Sequence, residues 1–517
     1  MNRLKPADIF QSHMVLQRDK PVSIWGTAPE KSTVRVELTN SNHIRCVAQS
    51  AVQDGRWLCL LPARHVIAPE KYSLTVSCDA PDTASLTFTD ISFGDIWLAC
   101  GQSNMEFFLR YDEDWERVKH YKKNEQIYMY NVPQKAFEGH KKVTPGSAVW
   151  FKEQDPAWEV FSAPGYSFAR HLQPALNIPI GIIGCNWGGT TAAAWLDETC
   201  LEEEPLSVYL KEYEAAVSAF SPEELEQKSK EGWLLEDSSA HDQSFIPVLY
   251  GISEEEQKQY VKDHKNDPVI PMGPWNINRP GGLYHNMLES LIPLSIKGVL
   301  WYQGESDASH ADIYDQLFTA LITCWRKAWK DDFPFLFVQL APFEKWLECD
   351  ACGYPMVRSK QELVSKTVPD TAMTSIMDLG MYYDIHPKKK MEVGRRLALL
   401  ARGKVYGEQI LCEPPEYKEY MREKNRIILT FANCNSALHT NSDMHTEESV
   451  NGFVLMQNDQ EIPVTSVLLE GNKIILEAEA LQPGPCTVLF AYSNYVEVNV
   501  WNEANLPVKP FILRIPD

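Results

Sequence analysis

Four short apolar runs in this chain each lead into a polar, glycine-bearing loop, and that recurrence restricts the fold more than any single motif. Ile96-Trp97-Leu98-Ala99-Cys100 leads into Gly101-Gln102-Ser103-Asn104-Met105, and Ile180 to Cys185 leads into Asn186-Trp187-Gly188-Gly189-Thr190-Thr191. Ile296 to Tyr302 runs into Gln303-Gly304-Glu305-Ser306-Asp307, and Ala372 to Met377 precedes Asp384-Ile385-His386-Pro387. The runs read as buried strands, and open α/β sheets gather their catalytic side chains at such strand ends.

The first loop presents a serine on a sharp turn. Gly101 can take backbone angles closed to residues with a Cβ, so Ser103 can be lifted clear of its strand and aimed into a cleft as a nucleophile. Met105 stands where the nucleophile elbow of α/β-hydrolases carries its second glycine, so that elbow pattern is not met. The alternative is that Ser103 or Asn104 caps a helix starting near Met105. The fourth loop offers His386 and Asp384 just before a helix expected over Lys388 to Arg402, where Met391, Val393, Leu397 and Leu400 recur at helical spacing. Pro387 suits its first position and Gly403 its stop. For this histidine, one of thirteen, the alternative is a His-Pro helix entry without chemistry.

Texture along the chain divides it in three. Residues 1–90 alternate apolar and polar in short runs with Pro and Gly between them, as in Val34-Arg35-Val36-Glu37-Leu38, which predicts a small β-sandwich. Residues 91–405 alternate strand and helix patterns, as a parallel sheet with crossover helices requires. Strand texture returns over 406–517, as in Arg426 to Phe431. An insertion at about 198–290 carries acidic helical segments (Glu202-Glu203-Glu204, Glu254-Glu255-Glu256) and a Pro/Gly/Asn loop from Gly273 to Gly282. Such charged runs are usually solvated, but an insertion between two site loops must emerge near the site mouth.

At 517 residues, with a hydrophobic share of 44%, the chain can bury a real core. A formal charge of −21 argues against nucleic acid or an anionic membrane as partner, and Lys388-Lys389-Lys390 reads as a solvated helix start. No apolar run approaches a membrane span, and no apolar signal segment follows Met1-Asn2-Arg3-Leu4-Lys5. The twelve scattered cysteines form no even framework, so a cytoplasmic protein with reduced thiols is expected. Cys349-Asp350-Ala351-Cys352 lacks the second pair that a structural zinc would want, and with Trp346-Leu347-Glu348 it reads as a surface loop.

The four loops together resemble the SGNH-hydrolase superfamily and, within it, the sialate O-acetylesterase family, to which some bacterial acetyl-xylan esterases are similar. Gly101-Gln102-Ser103-Asn104 resembles the nucleophile block, Gly188-Gly189-Thr190 the glycine block, Trp301-Tyr302-Gln303-Gly304-Glu305-Ser306 the third block and Asp384-Ile385-His386-Pro387 the histidine block. Met14-Val15-Leu16-Gln17-Arg18 with Ile24-Trp25-Gly26 is similar to the family's amino-terminal β-domain, and Leu506-Pro507 with Pro510-Phe511 to its ending. The resemblance implies an SGNH-like three-layer α/β/α core with a parallel sheet, flanked by β-rich amino- and carboxy-terminal domains.

It implies Ser103 as nucleophile, His386 as general base and Asp384 as the group holding the imidazole tautomer. The family acid usually lies three residues before the histidine, where this chain has Tyr383, so a backbone carbonyl or Asp378 is the alternative orienter. The oxyanion would be met by the Ser103 N–H, a glycine N–H at Gly189 or Gly188, and the Gln303 side-chain amide. Glu305, an acceptor while ionised, is left as a loop organiser. Gln102, Glu305, Asn286 and Arg358 are the substrate-binding candidates; Arg358 matches a family arginine able to pair with a sialic acid carboxylate, the alternative being a salt bridge. Trp275 and Tyr284 are candidate sugar contacts or, equally, packing residues. No metal or cofactor is called for. The expected activity is hydrolysis of an acetylated sugar, O-acetyl sialic acid first and acetylated xylan second. The competing class is a non-catalytic carbohydrate-binding protein on an esterase scaffold. The sequence leaves the oligomeric state open.

Overall fold

The computed structural model describes residues 3–40, 45–66, 70–140, 146–239, 253–347, 349–440 and 450–516. Met1, Asn2 and Glu348, which figured in the sequence reading, lie outside them.

One strand organises the molecule. Leu86–Gly101 begins with alternating exposure and from Ile91 onward is buried without a break. The first part pairs antiparallel with Tyr72–Cys78, whose partner Thr33–Asn40 alternates in the same way. The second part lies in a parallel sheet, where both faces are covered and alternation disappears. The change of texture near residue 90 is therefore a change of neighbours along one continuous strand.

The path through the large sheet runs Trp150–Lys152, Ile127–Asn131, Ile180–Asn186, Leu86–Gly101, Gly298–Tyr302, Phe335–Val338 and Thr371–Thr374. All neighbours on this path are parallel except the first pair. From Leu86–Gly101 the chain goes first to one side and then, at Gly298–Tyr302, to the other. The loops leaving the carboxyl ends there flank a topological switch point. One hydrophobic core joins this sheet to the amino-terminal strands, from Leu4 to Cys412. A second core lies between two four-stranded antiparallel sheets after residue 416 and takes in Met377 from the long loop before the histidine. The architecture is thus mixed α/β, with a large mixed sheet and additional β-rich sheets.

The helix after the histidine departs from expectation at both ends. It spans Lys390–Lys404, so Pro387 belongs to the preceding loop. Gly403 lies inside it; a Cβ there would come within 2.3 Å of Cys412 Sγ, so close packing explains this glycine better than a stop does. The helix lies against Ala163–Leu176, and Gly394 is the point of closest approach. A Cβ at Gly394 would meet Ser167 Cβ at 2.4 Å and Pro164 O at 2.5 Å. Gly394→Ala is expected to destabilise the fold by about 1–3 kcal/mol through overpacking, read as a lowered Tm in thermal unfolding, with an unchanged Tm disproving the tight fit.

Candidate active site

Strand register brings three of the four loops to one level. Asn186 and Tyr302 both lie opposite Gly101 in the ladder, one on each side. Gly101 has φ +138°, and a Cβ on it would sit 2.1 Å from Tyr302 O, so glycine is required where the strand turns away. The helix Ser103–Glu106 follows at once. Its N-cap is Gln102, with no side-chain capping bond, so neither Ser103 nor Asn104 is the cap.

The Ser103 hydroxyl instead lies 3.0 Å from His386 Nε2. On the far side of the ring, Nδ1 is 3.3 Å from Asp384 Oδ1, which also accepts from the His386 backbone N–H at 2.8 Å. The other carboxylate oxygen lies 2.7 Å from Lys388 Nζ. Burial alone would raise the Asp384 carboxyl, but the His386 hydrogen bond and the Lys388 ammonium hold it below its ordinary value. Burial drives the imidazole down to about 4, against the pull of Asp384 and with the help of Lys390 and Lys388. The ring is therefore neutral at neutral pH, as a base accepting the serine proton must be. Asp378, the alternative orienter, is engaged elsewhere: Arg396 donates to its two oxygens at 2.6 and 2.7 Å, and Trp501 Nε1 to one of them at 2.8 Å.

The oxyanion donors need two corrections. The Gly188 N–H is committed to Glu106 Oε2 at 2.6 Å. Gln303 is fully buried; its Nε2 donates to Thr190 O at 3.2 Å and Asp307 Oδ2 at 2.5 Å, which occupies both amide protons. Asp307, four residues on, turns that amide inward. Gly189, exposed with φ +72°, has an N–H with no acceptor among the described residues. So does the Ser103 N–H, in the helix's first turn. Gln102 is the other side-chain amide at hand. Its Oε1 accepts from the backbone N–H groups of Ser306 at 3.2 Å and Gly304 at 3.4 Å. Two backbone donors demand an oxygen, so the orientation is fixed and Nε2 is left without an acceptor among the described residues.

Asn104 ties the loops together from below. Its Nδ2 donates to Glu305 Oε1 at 2.6 Å and to Ile385 O at 3.0 Å, while its Oδ1 accepts from Lys390 Nζ at 2.6 Å. Burial pushes the Glu305 carboxyl up to about 7 and the Lys390 ammonium down to about 7. Through Asn104, Glu305 links the third loop to the turn that carries Ser103. The lysine triplet is not a solvated start: Lys390 is fully buried beside the rings of Phe107 and Tyr302, Lys388 is on Asp384, and only Lys389 is exposed.

The remaining substrate-binding candidates lie elsewhere. Arg358 is buried and donates to Ser493 O and Asn494 O at 2.7 Å each, fastening the carboxy-terminal sheets to the core rather than meeting a sugar carboxylate. Asn286 donates to Gly282 O at 2.7 Å and lines a cleft of about 670 Å³ with Trp25 and Tyr284, whose lining does not include Ser103. Tyr284 is buried and Trp275 packs against the core. Sequence reasoning missed Asn104, Lys390, Glu106 and Trp346. The last packs on His386 from what had read as a surface loop.

The profile of the family described as "Carbohydrate esterase, sialic acid-specific acetylesterase" matches residues 93–225 and 271–401, a little over half of the chain. The chain belongs to that family, and so to the carbohydrate acetylesterases. It is similar to the sialate O-acetylesterase of Rattus norvegicus, 26% identical over 435 residues covering 78% of this chain and 74% of the relative. The Homo sapiens sialate O-acetylesterase is 26% identical over 456 residues, covering 82% and 76%. A solved carbohydrate acetylesterase from Xanthomonas citri superposes with a TM-score of 0.73 at 27% identity, over 98% of this chain and 99% of that one.

Two outcomes are expected. The acid limb of kcat/KM should fall well below the ordinary histidine value of 6.5, toward about 4. The unfolded imidazole protonates near 6.5 while the buried one stays neutral, so stability should also decline as pH drops through that window. A limb at 6.5 would contradict the buried neutral base. Separately, Asp384→Asn should lower kcat on the order of 10³-fold or more if the carboxylate holds the tautomer, whereas a loss under about tenfold would assign that task to another group.

Proposed function

We propose that this chain is a serine-dependent carbohydrate O-acetylesterase acting through an acetyl-enzyme. His386 Nε2 takes the Ser103 proton as Oγ attacks the acetyl carbonyl, and the negative oxygen of the tetrahedral intermediate is met by the N–H groups of Ser103 and Gly189 and by Gln102 Nε2. Collapse breaks the bond to the sugar oxygen, which receives the proton from His386. Water, deprotonated by His386, then attacks the acetyl-serine; acetate leaves and the proton returns to Ser103. The single observation that carries this reading is the 3.0 Å contact between Ser103 Oγ and His386 Nε2, formed across 283 residues of sequence. It also weighs against a non-catalytic binding protein, which has no use for a neutral imidazole on a serine.

The preferred substrate in this reading is O-acetyl sialic acid, supported by the family and by the relatives' names. A neutral acetylated sugar such as acetyl-xylan is the second reading, and two observations favour it: Arg358 is occupied by carbonyls, and a chain with charge −21 repels an anionic sugar. The same reading takes residues 91–405 as an SGNH-like three-layer catalytic unit and residues 1–90 and 406–517 as its β-rich flanks. A cytoplasmic setting is supported by twelve cysteines that are all free.

Ser103→Ala should reduce acetate release from p-nitrophenyl acetate by about 10⁴-fold or more, and equal rates would remove the nucleophile from the account. With the parent protein, kcat/KM for O-acetylated sialic acid should exceed that for acetylated xylo-oligosaccharide by about tenfold or more; the reverse order would establish the second reading.

A further inference from the structure

The catalytic imidazole is covered by a tryptophan that the insertion holds in place. Lys345–Trp346 and Cys349–Asp350 pair as a small antiparallel hairpin. The Trp346 indole meets the His386 ring edge to face, with centroids 5.0 Å apart and planes at 84°. His386 is only 3% exposed, whereas Trp346 is half-buried. The indole therefore both roofs the imidazole and contributes to the open surface beside it.

Two sets of bonds fix the hairpin to the histidine loop. The backbone N–H groups of Glu344 and Lys345 donate to Tyr382 O at 3.1 and 3.0 Å. The Leu347 N–H donates to Gln257 Oε1 at 2.7 Å, and Gln257 Nε2 donates to Tyr383 O at 2.6 Å. Gln257 lies on the helix Glu254–His264, started by a capping box between Ser253 and Glu256. The helix is strongly charged, and Gln257 is the residue it buries. This insertion helix thus uses its buried side chain to bridge the tryptophan hairpin and the loop carrying His386.

The reaction dictates what comes next to that indole. His386 Nε2 must return a proton to the departing sugar oxygen, so that oxygen comes within about 3 Å of the imidazole. The pyranose ring bearing it then lies within roughly one ring width of Trp346. An aromatic surface with a polar rim suits a sugar's C–H face, while the acetyl methyl on the other side of the carbonyl has no need of it.

We propose that Trp346 is the platform for the sugar ring of the leaving group, and that Gln257 sets its position. The inference rests on the esterase reading above and concerns selectivity, with the chemistry left to Ser103 and His386.

The test compares an acetylated sugar that the parent hydrolyses with ethyl acetate, which carries the same acetyl group and no ring. Trp346→Ala should raise KM for the sugar by about tenfold or more, while kcat/KM for ethyl acetate changes at least tenfold less. Trp346→Phe should recover most of the sugar KM, and Gln257→Ala should shift it in the same direction by a smaller factor. Thermal unfolding of each variant checks folding, and Trp346→Phe keeps the test open if the alanine variant fails to fold. Equal losses on both substrates, or no change on the sugar, would overturn the platform while leaving the esterase intact. A parent protein that releases acetate from neither substrate would overturn the esterase reading, and the platform with it.

Discussion

One side-chain amide sets the distance on which the proposed chemistry depends. Asn104 follows Ser103 directly, and Ile385 precedes His386, so the hydrogen bond from Asn104 Nδ2 to Ile385 O closes a ring one residue away from each reacting group. The remaining proton and the carbonyl of that amide bind Glu305 and Lys390, two buried groups of opposite charge type. An ionised group so enclosed is costly unless paired, and the amide lets one carboxylate and one ammonium face a common partner in opposite polarity. The nucleophile turn, the third loop, the histidine loop and the following helix are thereby held by the three contacts of one residue.

The other three loops need less help than the fourth. Register alone places Asn186, Gly101 and Tyr302 side by side, so the loops that follow them start together. Thr371–Thr374 lies three strands away from Leu86–Gly101, and the chain from Ser375 to Lys389 must cross the sheet ends to reach Ser103. Polar staples supply what register cannot. Arg396 grips Asp378 near the start of the crossing, Asp112 accepts from the Met391 N–H near its end, and Glu113 N–H donates to Lys388 O beside it. Asp112 is itself buried, and burial raises its carboxyl to about 6.

The sequence exposed the strands, the four loops and the pairing of Ser103 with His386, because burial periodicity and turn chemistry are local properties. It did not expose which way amides and cations turn, because their orientation is decided by distant partners. Gln102 and Gln303 occupy mirror positions beside a glycine, and it is the partners Asp307, Thr190 and Tyr314 that hold Gln303 facing the interior. Arg358 was open between substrate and structure, and the carbonyls of Ser493 and Asn494, more than 130 positions away, decide for structure. Lys390 looked solvated because charge runs usually are. Its burial follows from Asn104 and two aromatic rings that no helical pattern reports.

The proposed chemistry and the proposed selectivity draw on different parts of the chain. Ser103, His386, Gly189 and Gln102, to which the proposed chemistry is assigned, stand on the loops beyond the strand ends, all within the stretches that match the family profile. Gln257, which bonds to the hairpin carrying Trp346, falls between the two matched stretches, on a strongly charged helix. A helix whose buried side chain is a single amide could change in length and charge without disturbing Ser103 or His386, provided that amide still reaches Leu347 and Tyr383. With Trp346 as the proposed platform, variation in the insertion would alter which sugar is received while leaving the acetyl transfer untouched, and the two backbone partners of Gln257 mark where that freedom ends.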